Sequence, residues 1–240
     1  MSKIIESGNG SLLTNVHNAN PVSRRNFLGY AGGAAMLAVA FTACNKDDDD
    51  DNNNTDGIDL GSGDVGILNY AYALEQLEAA FYTKVLEAPY ASIPAAEAAL
   101  LKDIRDHEIA HREFFKAPLG SGAIVALTPN WGSLDFTKRD QVLATAKAFE
   151  DLGVAAYNGA GKLISTTSNG KAYLTLAGKI VSVEARHAAY IRDLISNGTF
   201  ADNTAIDMNG LDKAIAPPEV LMTANTFLTT KVSGKNLPTS

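Results

Sequence analysis

Asp106-His107-Glu108-Ile109-Ala110-His111 and Val183-Glu184-Ala185-Arg186-His187 are the stretches whose reading decides the fold. Each contains Glu-x-x-His. Residues three apart on a helix share a face, so each pair presents a carboxylate oxygen and an imidazole nitrogen to one point. Each pair also follows a lone glutamate at nearly the same distance: Glu75 lies 33 residues before Glu108, and Glu150 lies 34 before Glu184. Four carboxylates and two imidazoles converging inside a helix bundle make the ligand set of a carboxylate-bridged dimetal centre. Only three histidines follow residue 43, and two of them carry the glutamate at this spacing. Two unrelated surface Glu–His contacts are a poor account of that coincidence.

The repeat extends beyond the six residues. With Glu75 aligned on Glu150, Leu77 meets Leu152, Ala80 meets Ala155 and Tyr82 meets Tyr157. Glu78, one turn after Glu75, competes with it as a ligand, but its counterpart is Gly153, which favours Glu75. Tyr82 and Tyr157 are the candidate catalytic residues: each stands two turns after its glutamate, where it can hydrogen-bond a ligand, pass an electron, or serve as a core aromatic.

Outward from the motifs, four helices are expected. The first runs from Asp64 to about Ala88, with Leu68, Ala71, Leu74, Leu77, Phe81 and Leu86 marking a 3.6-residue apolar face. Ser92 and Pro94 open the second, which ends near Lys116. Thr137 and Asp140 read as a capping pair for the third, which reaches Ile164; Gly153, Gly159 and Gly161 weaken it and let backbones approach. Asn169-Gly170 precedes the fourth, stopped at Asn197-Gly198. Short links make helices one and two, and three and four, antiparallel pairs. The stretch 117–136, with Pro118, Pro129 and Trp131, is long enough to cross the bundle. This predicts an all-α fold: two helical hairpins and one long crossover over 64–198, then a C-terminal extension 199–240 with a short helix from Pro218 to about Thr229, packed outside the bundle.

The N-terminal region reads as address rather than fold. Ser23-Arg24-Arg25-Asn26-Phe27-Leu28 resembles a twin-arginine export signal, and the apolar run Gly29–Ala43 is too short to span a membrane. Residues 1–43 are therefore assigned as a signal segment. Phe41-Thr42-Ala43-Cys44 resembles a lipobox, although Phe41 is not its usual residue, and makes Cys44 the candidate lipidation site and membrane anchor. Asp47 to Asp51 and Asn52 to Asn54 follow, so 44–63 is expected to be a disordered acidic tether. An acidic run after a lipidated cysteine resembles a surface-export signal, so the predicted location is the cell envelope, surface-exposed or periplasmic. Removing 1–43 takes Lys3, Arg24 and Arg25 from 20 basic residues and Glu6 from 27 acidic ones, leaving 17 against 26, net −9. There is no basic stripe, which excludes nucleic-acid binding.

The text Leu68-Asn69-Tyr70-Ala71-Tyr72-Ala73-Leu74-Glu75-Gln76-Leu77-Glu78-Ala79-Ala80-Phe81-Tyr82, with Asp106 to His111, Leu134-Asp135-Phe136 and Val183 to His187, resembles the ferritin-like superfamily. Within it, the chain looks like the exported, desiccation-related branch. The resemblance covers about 64–200 and implies Glu75, Glu108, His111, Glu150, Glu184 and His187 as metal ligands. Glu108 and Glu184 would bridge two iron or manganese ions and the others would be terminal. Three functions stay open. One is an exported oxidoreductase acting on oxygen, peroxide or ferrous iron. Another is a non-catalytic binding or stress-protective protein, with or without metal. The third follows from His107-Glu108-Ile109-Ala110-His111 as a literal HExxH, the zinc-protease signature. That reading leaves Glu75, Glu150, Glu184 and His187 unexplained; without it, His107 is an outer-shell or solvated residue. A homo-oligomer is compatible with the sequence, whereas a lipid tether and a 40-residue extension sit poorly on a closed storage cage.

Overall fold

The computed structural model describes residues 57–239. The signal segment, Cys44 and the aspartate run lie outside them. In order come β1 (Ile58–Asp59), α1 (Gly63–Glu87), α2 (Ala95–Leu119), α3 (Arg139–Ala160), α4 (Ser168–Ile195), α5 (Pro217–Ala224) and β2 (Val232–Ser233). Helices α1 and α2 form one hairpin and α3 and α4 the other, and the segment 120–138 crosses between them. The fold is the all-α bundle expected. Among the described residues, no helix is long and apolar enough to cross a membrane.

Helix α1 is not an amphipathic surface helix. From Gly66 to Ala79 every residue is buried, including Asn69, Glu75, Gln76 and Glu78. A helix apolar on nearly all sides belongs in the middle of a fold. Asn69 and the side-chain oxygen of Gln76 are satisfied by the backbone laid over them. Asn69 Nδ2 donates to the Leu60 and Gly122 carbonyls at 3.1 and 2.9 Å, and Asn69 Oδ1 accepts from Ile124 N at 3.0 Å. Gln76 Oε1 accepts from Leu127 N at 2.8 Å. The crossover is thus stitched to α1 by residues that a period-3.6 reading counts as breaks in the apolar face.

Several expected boundaries move. Pro94 is the residue before α2 rather than inside its first turn, and Pro118 falls in the last turn of α2 rather than in the crossover. Thr137 does not cap α3; its N–H and hydroxyl both donate to Asp135 Oδ1, at 2.9 and 2.6 Å, and Lys138 precedes the helix. The Thr137 hydroxyl is engaged as a donor to Asp135 instead of accepting from the first N–H groups of α3. Helix α4 starts one residue before Asn169, because the Thr167 hydroxyl accepts from Gly170 N at 3.0 Å and caps it.

The ends of the chain close the bundle. Residues 57–63, assigned to the acidic tether, are part of the fold. Ile58 and Asp59 pair in parallel with Val232 and Ser233, and Leu60 is fully buried. Two apolar residues flanking one aspartate are enough to hold a strand once a partner strand exists. Helix α5, shorter than the stretch from Pro218 to about Thr229, lies against α1 and α3, and its Val220, Leu221 and Ala224 join the main core. Phe227, just beyond it, stacks edge-on against Phe149 of α3 at 4.7 Å, in a cluster with Phe81, Trp131 and Phe136. Arg192 of α4, 2% exposed, ties the 199–216 segment down. It makes two 2.7 Å bonds to Asp151 of α3 and bonds Thr204 Oγ1 at 2.8 Å and Asp202 Oδ1 at 3.2 Å. Gly159 lets this segment approach α3: a Cβ there would stand 1.8 Å from the Ile215 carbonyl oxygen, whose own N–H donates to the Ala155 carbonyl.

Candidate metal centre

Each helix of the bundle delivers acid to one interior point. Helix α1 supplies Glu75, α2 supplies Glu108 and His111, α3 supplies Glu150, and α4 supplies Glu184 and His187. The six residues form two sets, Glu75/Glu108/His111/Glu184 and Glu108/Glu150/Glu184/His187. Within each set, one ligand-type atom per residue lies within 4.8 Å of all the others. Glu108 and Glu184 belong to both. The histidines reach across the hairpins: His111 Nδ1 is closest to Glu184 Oε1 of α4, and His187 Nδ1 is closest to Glu108 Oε1 of α2, both at 2.8 Å. His111 Nδ1 is also 3.4 Å from Glu75 and Glu108, and His187 Nδ1 is 3.5 Å from Glu150 and 3.6 Å from Glu184.

All four glutamates are fully buried. Both carboxylate oxygens of Glu108 and of Glu184, one each of Glu75 and Glu150, and Nδ1 of both histidines are buried without a hydrogen-bond partner. The contacts are close, but the atoms face a shared point rather than lining up as donor and acceptor. Buried carboxylates left this way are costly unless a cation compensates them. These donors fit metal.

Protonation shows the same frustration. Burial, and then the neighbouring Glu184, push Glu108 up to about 7; burial pushes Glu150 up to about 8 against the pull of His187. Burial would raise Glu184 too, but the two imidazoles outweigh it and hold it at about 2. Burial would lower His187, yet Glu108, Glu150 and Glu184 carry it up to about 12, and His111 is driven up in the same way. Without metal, the cluster neutralises itself with protons.

The two tyrosines cross over. Tyr82 of α1 donates to Glu150 Oε1 of α3 at 2.5 Å, and Tyr157 of α3 donates to Glu75 Oε1 of α1. Each therefore serves the glutamate of the other half, a pairing that spacing along one helix does not reveal. Tyr82 is fully buried, whereas Tyr157 is partly exposed. Tyr157 walls a narrow apolar cleft, lined also by Leu68, Leu74 and Phe115, with 20 Å³ of room for the centre of a water-sized molecule.

Glu78 belongs to neither set. It is nonetheless buried beside the centre, where burial and then Glu184, Glu108, Glu150 and Glu75 hold its carboxyl well above the usual range. A Cβ on Gly153 would come within 3.0 Å of Glu78 Oε1. The second half lacks a glutamate here because the first half's occupies the space.

His107 also lies in neither set, so the HExxH residues do not gather as a zinc site among the described residues. It is exposed, but not idle: its Nδ1 is 2.9 Å from His187 Nε2, and the two rings lie 8° from parallel.

The chain matches the ferritin-like domain family over residues 63–197, more than half its length. It belongs to that family. The match begins and ends with α1 and α4, so it covers the bundle that gathers the six residues and leaves out β1, α5 and β2. Among curated proteins, none matches this sequence.

Proposed function

We propose that the chain is an exported oxidoreductase of the ferritin-like family, holding a pair of iron or manganese ions. Glu108 and Glu184, common to both sets, would hold both ions. Glu75 and His111 complete one position, and Glu150 and His187 the other. The observation that carries this reading is that two four-residue sets share two carboxylates whose four oxygens are all buried and unpartnered. The mixed oxygen and nitrogen donors suit iron or manganese rather than a soft metal. When bound, such a pair supplies the redox chemistry for dioxygen, peroxide or ferrous iron.

The chain's own residues do the rest. Tyr82 and Tyr157 orient Glu150 and Glu75 by donating to their Oε1 atoms, which leaves each Oε2 turned toward a histidine. The aromatic cluster around Phe81 and Phe149 keeps water from the Tyr82 side. The cleft at Tyr157 has room for about one small molecule, and its apolar wall favours a neutral oxidant over an ion. The buried carboxyl of Glu78 stands beside the centre, where burial and the neighbouring carboxylates raise its affinity for a proton. Export would rest on Arg24-Arg25 and anchoring on lipidation of Cys44, which support a cell-envelope location, while Leu68 to Tyr82, Asp106 to His111, Leu134 to Phe136 and Val183 to His187 support the desiccation-related branch.

The test is turnover. Protein loaded with iron(II) or manganese(II) is mixed with dioxygen or hydrogen peroxide, and consumption is followed beside Glu184→Ala. Multiple turnovers lost in the variant support an oxidoreductase. Two tightly held metals without turnover would support the non-catalytic protective role instead.

A further inference from the structure

We propose that His107 is a positioning residue for His187, and that it makes the two metal positions unequal. The inference rests on the dimetal reading. His187 turns Nδ1 toward Glu108, Glu150 and Glu184, and its Nε2, on the other side of the ring, meets His107 Nδ1 at 2.9 Å. An imidazole that offers the Nδ1 lone pair to a cation must carry its proton on Nε2. That N–H donates to His107 Nδ1, which fixes the tautomer and the rotation of the ligand ring. His107 is the residue before Glu108, so one turn of α2 supplies both a carboxylate common to the two sets and the support for the histidine on α4.

Among the described residues, the other half has no such device. With Glu108 aligned on Glu184, His107 falls on Val183, a side chain without a donor or acceptor. His111 therefore gets no equivalent support from α4. The histidine of the Glu150/His187 position is pre-oriented in this way, and the histidine of the Glu75/His111 position is not. Outer partners of metal-bound histidines are typically worth about 10- to 100-fold in affinity.

The experiment is stepwise cobalt(II) binding to the full chain against a chelator of known affinity. His111→Ala leaves only the Glu150/His187 position, and His187→Ala leaves only the other. In the first background, adding His107→Ala is expected to weaken cobalt about 10- to 100-fold, with His107→Asn, whose Oδ1 still accepts, restoring most of it. In the second background His107→Ala is expected to change affinity less than about twofold. A His107→Ala effect equal in both backgrounds, or absent from both, overturns the proposal. The metal-free protein gives a separate readout by nitrogen-15 NMR. The Nε2–H of His187 should exchange slowly with water, and lose that protection in His107→Ala but not in His107→Asn. If the wild type takes up no cobalt, the dimetal reading falls while this signal persists. If the protection is absent from the wild type, the positioning contact itself is refuted.

Discussion

Replacing the two tyrosines by phenylalanine separates what the bundle does from what either helix alone suggests. Tyr82→Phe and Tyr157→Phe each remove one hydroxyl that donates to a buried carboxylate. Leaving a buried acceptor unsatisfied costs about 1–3 kcal/mol. At roughly 2–4 °C per kcal/mol for a domain of this size, the metal-free protein should lose about 2–12 °C in Tm. The two losses should be similar, because both acceptors, Glu150 and Glu75, are fully buried. The effect on metal is smaller than the bond itself, since the hydroxyl donates both before and after binding. What is lost is orientation of the ligand, about 10-fold in affinity and at most about 100-fold. The informative part is which metal weakens. Tyr82 stands on the helix of Glu75 but holds Glu150, so Tyr82→Phe should weaken the metal that survives His111→Ala and spare the one that survives His187→Ala. Tyr157→Phe should do the reverse. Chelator competition in those two backgrounds reads this directly. If each tyrosine instead weakens the metal of its own helix, the crossed arrangement is wrong.

Three further outcomes follow from the same geometry. The raised carboxyls of Glu108, about 7, and Glu150, about 8, bind protons in the folded state that unfolded carboxylates release above roughly pH 4.3. The metal-free protein should therefore lose Tm as pH rises from 5 to 8, while metal, which displaces those protons, binds more tightly, so the gap between the metal-bound and metal-free Tm should widen; a metal-free Tm that rises across this window contradicts the account. Gly159→Ala, which on helix propensity alone should stabilise by up to about 1 kcal/mol, should instead destabilise by about 1–3 kcal/mol, because its Cβ meets the Ile215 carbonyl oxygen; chemical denaturation gives the sign. Arg192→Ala should cost about 3 kcal/mol, the low end for a broken buried ion pair because Asp151 is partly exposed, and should make 199–216 sensitive to limited proteolysis while two metals remain bound.

The bundle and its six acid and imidazole residues were legible in the sequence because both depend on spacing within one helix. Glu-x-x-His sets a shared face whatever the helix packs against, and the repeat of Glu75 in Glu150 supplies the other two helices. What spacing does not encode is contact between helices. The crossing of Tyr82 to Glu150, the seat of Glu78 over Gly153, and the contact of His107 with His187 all join different hairpins. Gly153 held a legible signal: a glycine opposite a glutamate in an otherwise matched repeat marks space taken by that glutamate. The amphipathic reading of α1 failed for a related reason. Asn69 and Gln76 look solvent-facing until the crossover backbone covers them. Ile58 and Leu60 look like the end of a tether until β2 returns from the far end of the chain to pair with β1.

The central claim is that two metals share Glu108 and Glu184. Anomalous X-ray scattering at the iron, manganese and zinc edges, from crystals of protein purified without chelator, tests it most directly. The account predicts two iron or manganese peaks, one among Glu75, Glu108, His111 and Glu184 and the other among Glu108, Glu150, Glu184 and His187. A single zinc peak held by His107 and His111 would contradict it.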